Sequence, residues 1–207
     1  NAPDKARIKI PSAEEVKAVL GKAETATISP YKEKVLAKNL LDASRIKAGK
    51  IISTKTDEEL GTSTLVLSNG ATVVLKPTNF KNDEILFRAF SKGGHSLVKD
   101  ADYYSAIYAA SIVGQSGVGG ISAIDLGNML KGKNTSVTPS IGGLSEGLSG
   151  GTIPKETETL LQLVYLYFTS PNKEAQAFES FKTRQKQLYA NVASNPEIFF
   201  SGEVQKI

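Results

Sequence analysis

The amino-acid sequence predicts an α+β fold, an antiparallel sheet covered on one face by helices. Three observations predict it. Asn69-Gly70 stands between two runs of β-branched and aliphatic residues, Thr62–Leu67 and Thr72–Leu75. Asn-Gly readily takes the positive φ of a tight turn, so this is a strong hairpin signal of the two-residue, type I′ kind. Residues 84–91 alternate, with Ile85, Phe87, Ala89 and Ser91 on one side and Leu86, Arg88 and Phe90 on the other; that is the period of a third strand. Beyond Gly93-Gly94 the pattern changes to helices in pairs around one further pair of strands. The order β-β-β-α-α-β-β-α-α segregates strands from helices, unlike the strict alternation that builds a parallel sheet.

Each element has a local reason. Ser12 with Glu15 is a capping box that opens a helix through Val16, Val19 and Leu20, with Gly21 as its expected stop. Pro30 and the charged run at 32–38 read as loop, and Ile51-Ile52 as a short extended piece. Residues 1–59 are therefore expected to be a connector lying on the surface of another domain, and residues 60–207 the α+β domain. Pro77 ends the second strand, and residues 79–83 form a loop. Residues 101–113, rich in Ala, Tyr and Ile, read as a helix with Asp102 in its first turn, where a negative charge suits the dipole. Ser122 with Asp125 caps the next helix, which carries Ile124, Leu126 and Leu130. Residues 135–141 are strand-like, and Pro139 within them restricts this strand to a sheet edge. Residues 144–149 are its expected hairpin partner. Pro154 starts a helix through Leu160, Leu161, Val164, Leu166 and Phe168, apolar nearly all round and so expected to be buried. A more polar helix follows at 172–189. Asn195-Pro196 opens a last helix, which the end of the chain is expected to cut short.

Composition narrows the function. With no cysteine, disulfides, thiol nucleophiles and thiolate zinc sites are excluded. No apolar run reaches the roughly 18–20 residues of a membrane helix, so no membrane insertion is expected. The net charge of +4 comes from scattered lysines, without an arginine-rich run or any Trp; no nucleic-acid partner is expected, because such a footprint needs clustered cations and stacking aromatics. The chain starts at Asn1 without an initiating Met, and is read as a fragment or a processed product.

Several motifs imitate catalytic ones. Gly127-Asn-Met-Leu-Lys-Gly132-Lys133-Asn134 has the glycine spacing of a phosphate-binding loop, but Asn134 stands where a magnesium-binding hydroxyl is required, and the stretch reads as a helix end. Gly143-Leu-Ser145-Glu-Gly147 and Gly147-Leu-Ser149-Gly-Gly151 both fit G-x-S-x-G. A nucleophile elbow is followed in the chain by its His, whereas the single histidine, His95, precedes both serines. One His without Cys falls short of the three protein ligands of catalytic zinc, so no metal and no cofactor is expected in this segment.

The order of the remaining features resembles a known family. Leu67-Ser-Asn-Gly-Ala-Thr-Val-Val-Leu-Lys-Pro77-Thr78, then the strand and glycine stop from Phe80 to Ser96, then the glycine-flanked strands and apolar helix ending at Phe168, and finally Asn195-Pro196-Glu-Ile-Phe-Phe200, resemble the second half of the long single-chain insulinase/pitrilysin zinc metallopeptidases. The resemblance covers roughly residues 50–207 and implies a metallohydrolase-like half-chamber domain. Family members hydrolyse peptides with an inverted zinc motif, H-x-x-E-H, on a helix after the third strand. The corresponding helix here, from Asp102 to Val113, contains neither His nor Glu. The resemblance thus implies a non-catalytic, chamber-forming segment with no catalytic residue of its own. It implies zinc in the catalytic half of the same parent chain, a peptide substrate, and export to the periplasm. In such a chamber the sheet faces inward, which singles out Ser136, Thr138, Ser140, Ser145 and Ser149 as a possible substrate-chamber face of small hydroxyls. An inactive family member serving as a binding or assembly scaffold is the alternative.

Overall fold

The computed structural model describes residues 10–27, 39–42, 44, 46–192 and 195–204. The chain divides into two units, Asn1–Val35 and Leu36–Ile207. In the first, helix α1 spans Ala13–Thr25. Its capping box forms as expected: the Glu15 amide donates to Ser12 Oγ at 3.1 Å and the Ser12 amide to Glu15 Oε2 at 2.8 Å. The helix runs through Gly21 and stops only at Ala26. A glycine costs a helix interior about 1 kcal/mol, which weakens it without ending it. The loop expected around Pro30 and 32–38 lies outside the described residues.

The second unit is α+β with antiparallel strands, as the sequence predicts, but its strands fall into two three-stranded sheets. In the first, β1 (Ile51–Asp57), β2 (Thr62–Leu67) and β3 (Thr72–Leu75) lie in sequence order. The short extended piece at Ile51-Ile52 is thus the start of a seven-residue strand paired along all of β2, with a register shift between Ile51 and Ser53.

The β2–β3 hairpin forms with a different turn from the one expected. Val66 pairs with Thr72, the Leu67 amide donates to the Ala71 carbonyl at 2.8 Å, and the Gly70 amide returns to the Leu67 carbonyl at 2.9 Å. The connection is therefore three residues, Ser68 to Gly70, and only Gly70 has positive φ, at 87°. This is a turn followed by a left-handed residue, not the two-residue type I′ turn, which needs positive φ at Asn69 as well. The Asn69 side chain stabilises it by accepting from the Ala71 amide at 3.1 Å. The added loop residue shifts the register by one, which exchanges the faces the two strands present together. Gly70→Val is expected to destabilise this unit by roughly 1 kcal/mol or more, because a β-branched side chain resists left-handed backbone. Urea unfolding of the two proteins checks it; equal midpoints would contradict the turn.

The second sheet has the order β4-β6-β5, from β4 (Ile85–Lys92), β5 (Ser136–Ile141) and β6 (Ser145–Thr152). Pro139 lies on an edge strand, as its missing N–H requires. Helices α2 (Tyr103–Ser116), α3 (Ala123–Met129), α4 (Thr157–Thr169), α5 (Ala175–Val192) and α6 (Pro196–Val204) make up the rest. Ser122 Oγ caps α3 by accepting from the Asp125 amide at 3.1 Å, and Asn195 Oδ1 caps α6 through the amides of Glu197 and Ile198.

The core lies between this sheet and α4. Val137 of β5 and Leu148 of β6 pack with Leu160, Leu163 and Leu166 of α4, together with Val118 and Leu126. Burial of α4 is one-sided: Leu163 is 1% exposed, while Leu161 is 55% and Phe168 65% exposed. The expectation of an all-round buried helix is corrected accordingly; the stripe at 160, 163 and 166 is buried in the core, with Val164 and Tyr167 packed partly buried against it. Asn172 ties the loop after α2 to the end of α4. Its side chain donates to the carbonyls of Ser116 and Ile121 and accepts from the Gly120 amide, at 2.8–3.1 Å.

Candidate functional site

All five serine and threonine candidates project from one exposed face of the second sheet. Thr138 of β5 lies opposite Ser149 of β6, Ser140 opposite Gly147, and Ser136 opposite Gly151. Ser145, four residues before Ser149, has the same parity and shares that face. All five are exposed, and the Ser140 hydroxyl donates to the Gly147 carbonyl at 3.5 Å. The opposite face carries Val137 and Leu148 into the core, so the helices lie behind the hydroxyl face and leave it open.

Strand β6 is the central strand of this sheet, not only the hairpin partner of β5. It pairs along its whole length with β4: Leu86 with Gly151, Arg88 with Ser149, Phe90 with Gly147, and Lys92 with Ser145. The hydroxyl row is thereby bordered by a second row, Leu86, Arg88, Phe90 and Lys92, on the same face. Leu86 is 81% and Phe90 72% exposed. Between β4 and β5, Arg88, Phe90, Ser140, Ser145, Gly147 and Ser149 line a shallow groove of about 330 Å³. The alternation at 85–91 already separates these residues from their buried neighbours; their position beside the serines is decided by strand pairing across more than 50 residues.

The imitation motifs are structural. Ser145 and Ser149 sit within a strand, not at a strand-to-helix elbow. Gly132 follows the α3 helix end with φ of 76°. His95 lies in a short 3-10 turn at Gly94–Leu97, packed edge-on against Tyr103 with ring centroids 5.1 Å apart. That turn is pinned to the β5–β6 connection: the His95 amide donates to the Gly142 carbonyl at 2.9 Å and the Ser96 amide to the Gly143 carbonyl at 3.0 Å. Glu146 closes the same corner, accepting from Ser91 Oγ at 2.5 Å and from the Gly94 amide. The Ser91 hydroxyl, and after it the Gly94 N–H, hold the Glu146 carboxyl below the ordinary carboxylate range.

Helix α2, the counterpart of the zinc-motif helix in the resemblance, packs on β5 and carries neither His nor Glu. Among the described residues no group of three or more His, Asp or Glu side chains is gathered to hold a metal ion. Among them, too, no helix is long and apolar enough to cross a membrane.

No protein-family model matches the chain. Two curated proteins do. A zinc protease PQQL-like of Arabidopsis thaliana is 29% identical over 180 residues, covering 83% of this chain and 16% of that protein. A probable zinc protease PqqL of Haemophilus influenzae is 25% identical over 126 residues, covering 61% of this chain and 14% of that protein. The chain thus spans about a sixth of the length of the relatives it matches. Among solved structures, the ferredoxin protease FusC, as a mutant in complex with Arabidopsis ferredoxin, superposes with a TM-score of 0.73 at 21% identity, over 96% of this chain and 22% of that one. The periplasmic protease PqqL from Escherichia coli superposes with a TM-score of 0.69 at 21% identity, over 93% of this chain and 21% of that one. The solved structures establish the fold, and in sequence the chain is similar to one part of proteins named as zinc proteases.

Proposed function

We propose that this chain is a non-catalytic, chamber-forming segment of a zinc metallopeptidase that hydrolyses peptides, and that the open face of the β4-β6-β5 sheet lines the path of the peptide. The single observation that supports the reading most is that face. Ser136, Thr138, Ser140, Ser145 and Ser149 project together from it, interspersed with Gly147 and Gly151, while the core lies wholly behind it. Small hydroxyls offer hydrogen bonds to a passing backbone and occupy little volume. The helix α2 without His or Glu agrees with a wall and not a catalytic centre. In this reading zinc, and the water it activates, belong to the catalytic half of the same parent chain, which is the partner of this segment. Residues 1–59 serve as the connector and 60–207 as the family domain, with β1 of the connector added to the domain's hairpin. The periplasmic relative supports export of the parent.

The test uses the full-length protein with Thr138→Arg and Ser140→Arg made separately. Both sites are exposed, so stability should change by no more than about 0.5 kcal/mol. A long cation standing in the path should slow cleavage of large and small peptides by roughly tenfold or more, the equivalent of about 1.4 kcal/mol on the barrier. Folded variants that both cleave at the parental rate would remove this face from the chamber.

A further inference from the structure

We propose that β4 gives this face its selectivity, with Arg88 taking an acidic side chain of the peptide while Leu86 and Phe90 take apolar side chains two residues to either side. The proposal rests on the chamber-wall reading and goes beyond it to the class of peptide.

Leu86, Arg88 and Phe90 occupy alternate positions of one strand, so their side chains leave the sheet about 7 Å apart on the same face. An extended peptide laid over the strand presents its own alternate side chains at the same repeat, and the three contacts stay in register without bending either chain. Two large apolar groups so fully exposed beside a groove are the positions from which a bound chain would remove the most water.

The charge between them is one-signed. The outward positions of the three strands are Leu86, Arg88, Phe90 and Lys92 on β4, small hydroxyls and glycines on β6, and Ser136, Thr138 and Ser140 on β5. None is a carboxylate. Among the described residues Arg88 has no hydrogen-bond or ion-pair partner. Glu146 also lines the groove, but its two carboxylate oxygens are taken up by Ser91 Oγ and the Gly94 amide. Arg88 therefore has a free guanidinium fork, whose planar donors match a carboxylate in two-pronged fashion. A lysine or arginine in the peptide would meet only repulsion from Arg88 and Lys92.

The experiment measures kcat/KM of the full-length protein on three matched peptides that contain Leu-Ala-Glu-Ala-Phe, Leu-Ala-Gln-Ala-Phe or Leu-Ala-Lys-Ala-Phe around one constant cleavable sequence. The readout is the Glu-to-Lys ratio. The parental protein should favour Glu by roughly three- to tenfold, the scale of a partly exposed charge-assisted contact, with the difference in KM. Added salt should erode it by screening. Arg88→Gln should bring the ratio near one, Arg88→Glu should invert it, and Arg88→Lys should restore part of it. A parental preference for Lys, or a ratio that Arg88→Glu leaves unchanged, overturns the proposal. Thr138→Arg on the uncharged Gln peptide separates the two levels. If it slows cleavage while Arg88→Glu leaves the ratio unmoved, the chamber wall stands and this inference fails. If Thr138→Arg and Ser140→Arg both cleave at the parental rate, the wall reading fails and this one with it.

Discussion

Replacing Leu163 by Ala is expected to destabilise the unit that spans Leu36–Ile207 by about 3–4 kcal/mol, within the range measured for buried Leu→Ala changes. Leu163 is 1% exposed, at the centre of the cluster that joins α4 to β5 and β6. Truncation removes buried methyl groups and leaves a space bounded by Leu160, Leu166, Val137 and Leu148. Those neighbours are held by two β ladders and a helix and have little freedom to close in, so the cavity term adds to the lost transfer energy. Domains of this kind are stable by only about 5–15 kcal/mol in total, so one side chain carries a large share. Leu161→Ala on the same helix is the control. At 55% exposure it should cost well under about 1 kcal/mol, since most of its surface never leaves water. Urea unfolding gives both values from the midpoints at unchanged slope. Equal losses at 161 and 163 would contradict the one-sided burial of α4.

Gly147→Ala is expected to cost about 2–3 kcal/mol, the scale of a forced overpacking, although it adds one methyl group at a strand position where alanine has no propensity disadvantage. The reason is the approach of the neighbouring backbone. A Cβ at 147 would collide with the carbonyl oxygen of Ala89 in β4, and a Cβ at Gly150 with the carbonyl oxygen of Ser136 in β5. Backbone held in a ladder on both sides cannot step aside as a side chain does. One ladder must open, losing hydrogen bonds and dragging Phe90 or Thr138 out of place. Gly114 supplies the opposite sign. It lies in α2 with nothing within 4 Å of its would-be Cβ, so Gly114→Ala should raise stability by roughly 0.5–1 kcal/mol through helix propensity alone. Thermal melts of the two variants check the contrast, and a neutral Gly147→Ala would mean that β6 is not clamped between its neighbours. In the full-length protein the same substitution should also disturb peptide cleavage, because β6 is the floor on which Ser145 and Ser149 stand.

What the amino-acid sequence determined by itself was local. The capping box at Ser12 and Glu15, the Ser122 and Asn195 caps, the alternation at Ile85–Lys92 and the edge placement of Pro139 are each set by residues within a few positions of one another. The hydroxyl parity of Ser136, Thr138 and Ser140 is likewise a property of one strand. Tertiary structure decided the rest, because the deciding contacts are distant in the chain. The glycine-rich segment Ser145–Thr152 has almost no apolar alternation of its own, and only pairing with β4, 53 or more residues earlier, makes it central. Which side of α4 is buried depended on where the sheet lies, since Leu160 and Leu161 are chemically identical. The hairpin turn departed from the type its Asn-Gly favours because the strands settled their own register around it. Arg88 reads in sequence as one more solvated cation; it becomes part of a candidate site only once β6 sets Ser149 beside it. Side-chain period and capping are written along a strand or a helix, whereas adjacency between strands follows from burying Val137, Leu148 and Leu163 in one common core, which no single segment can do alone.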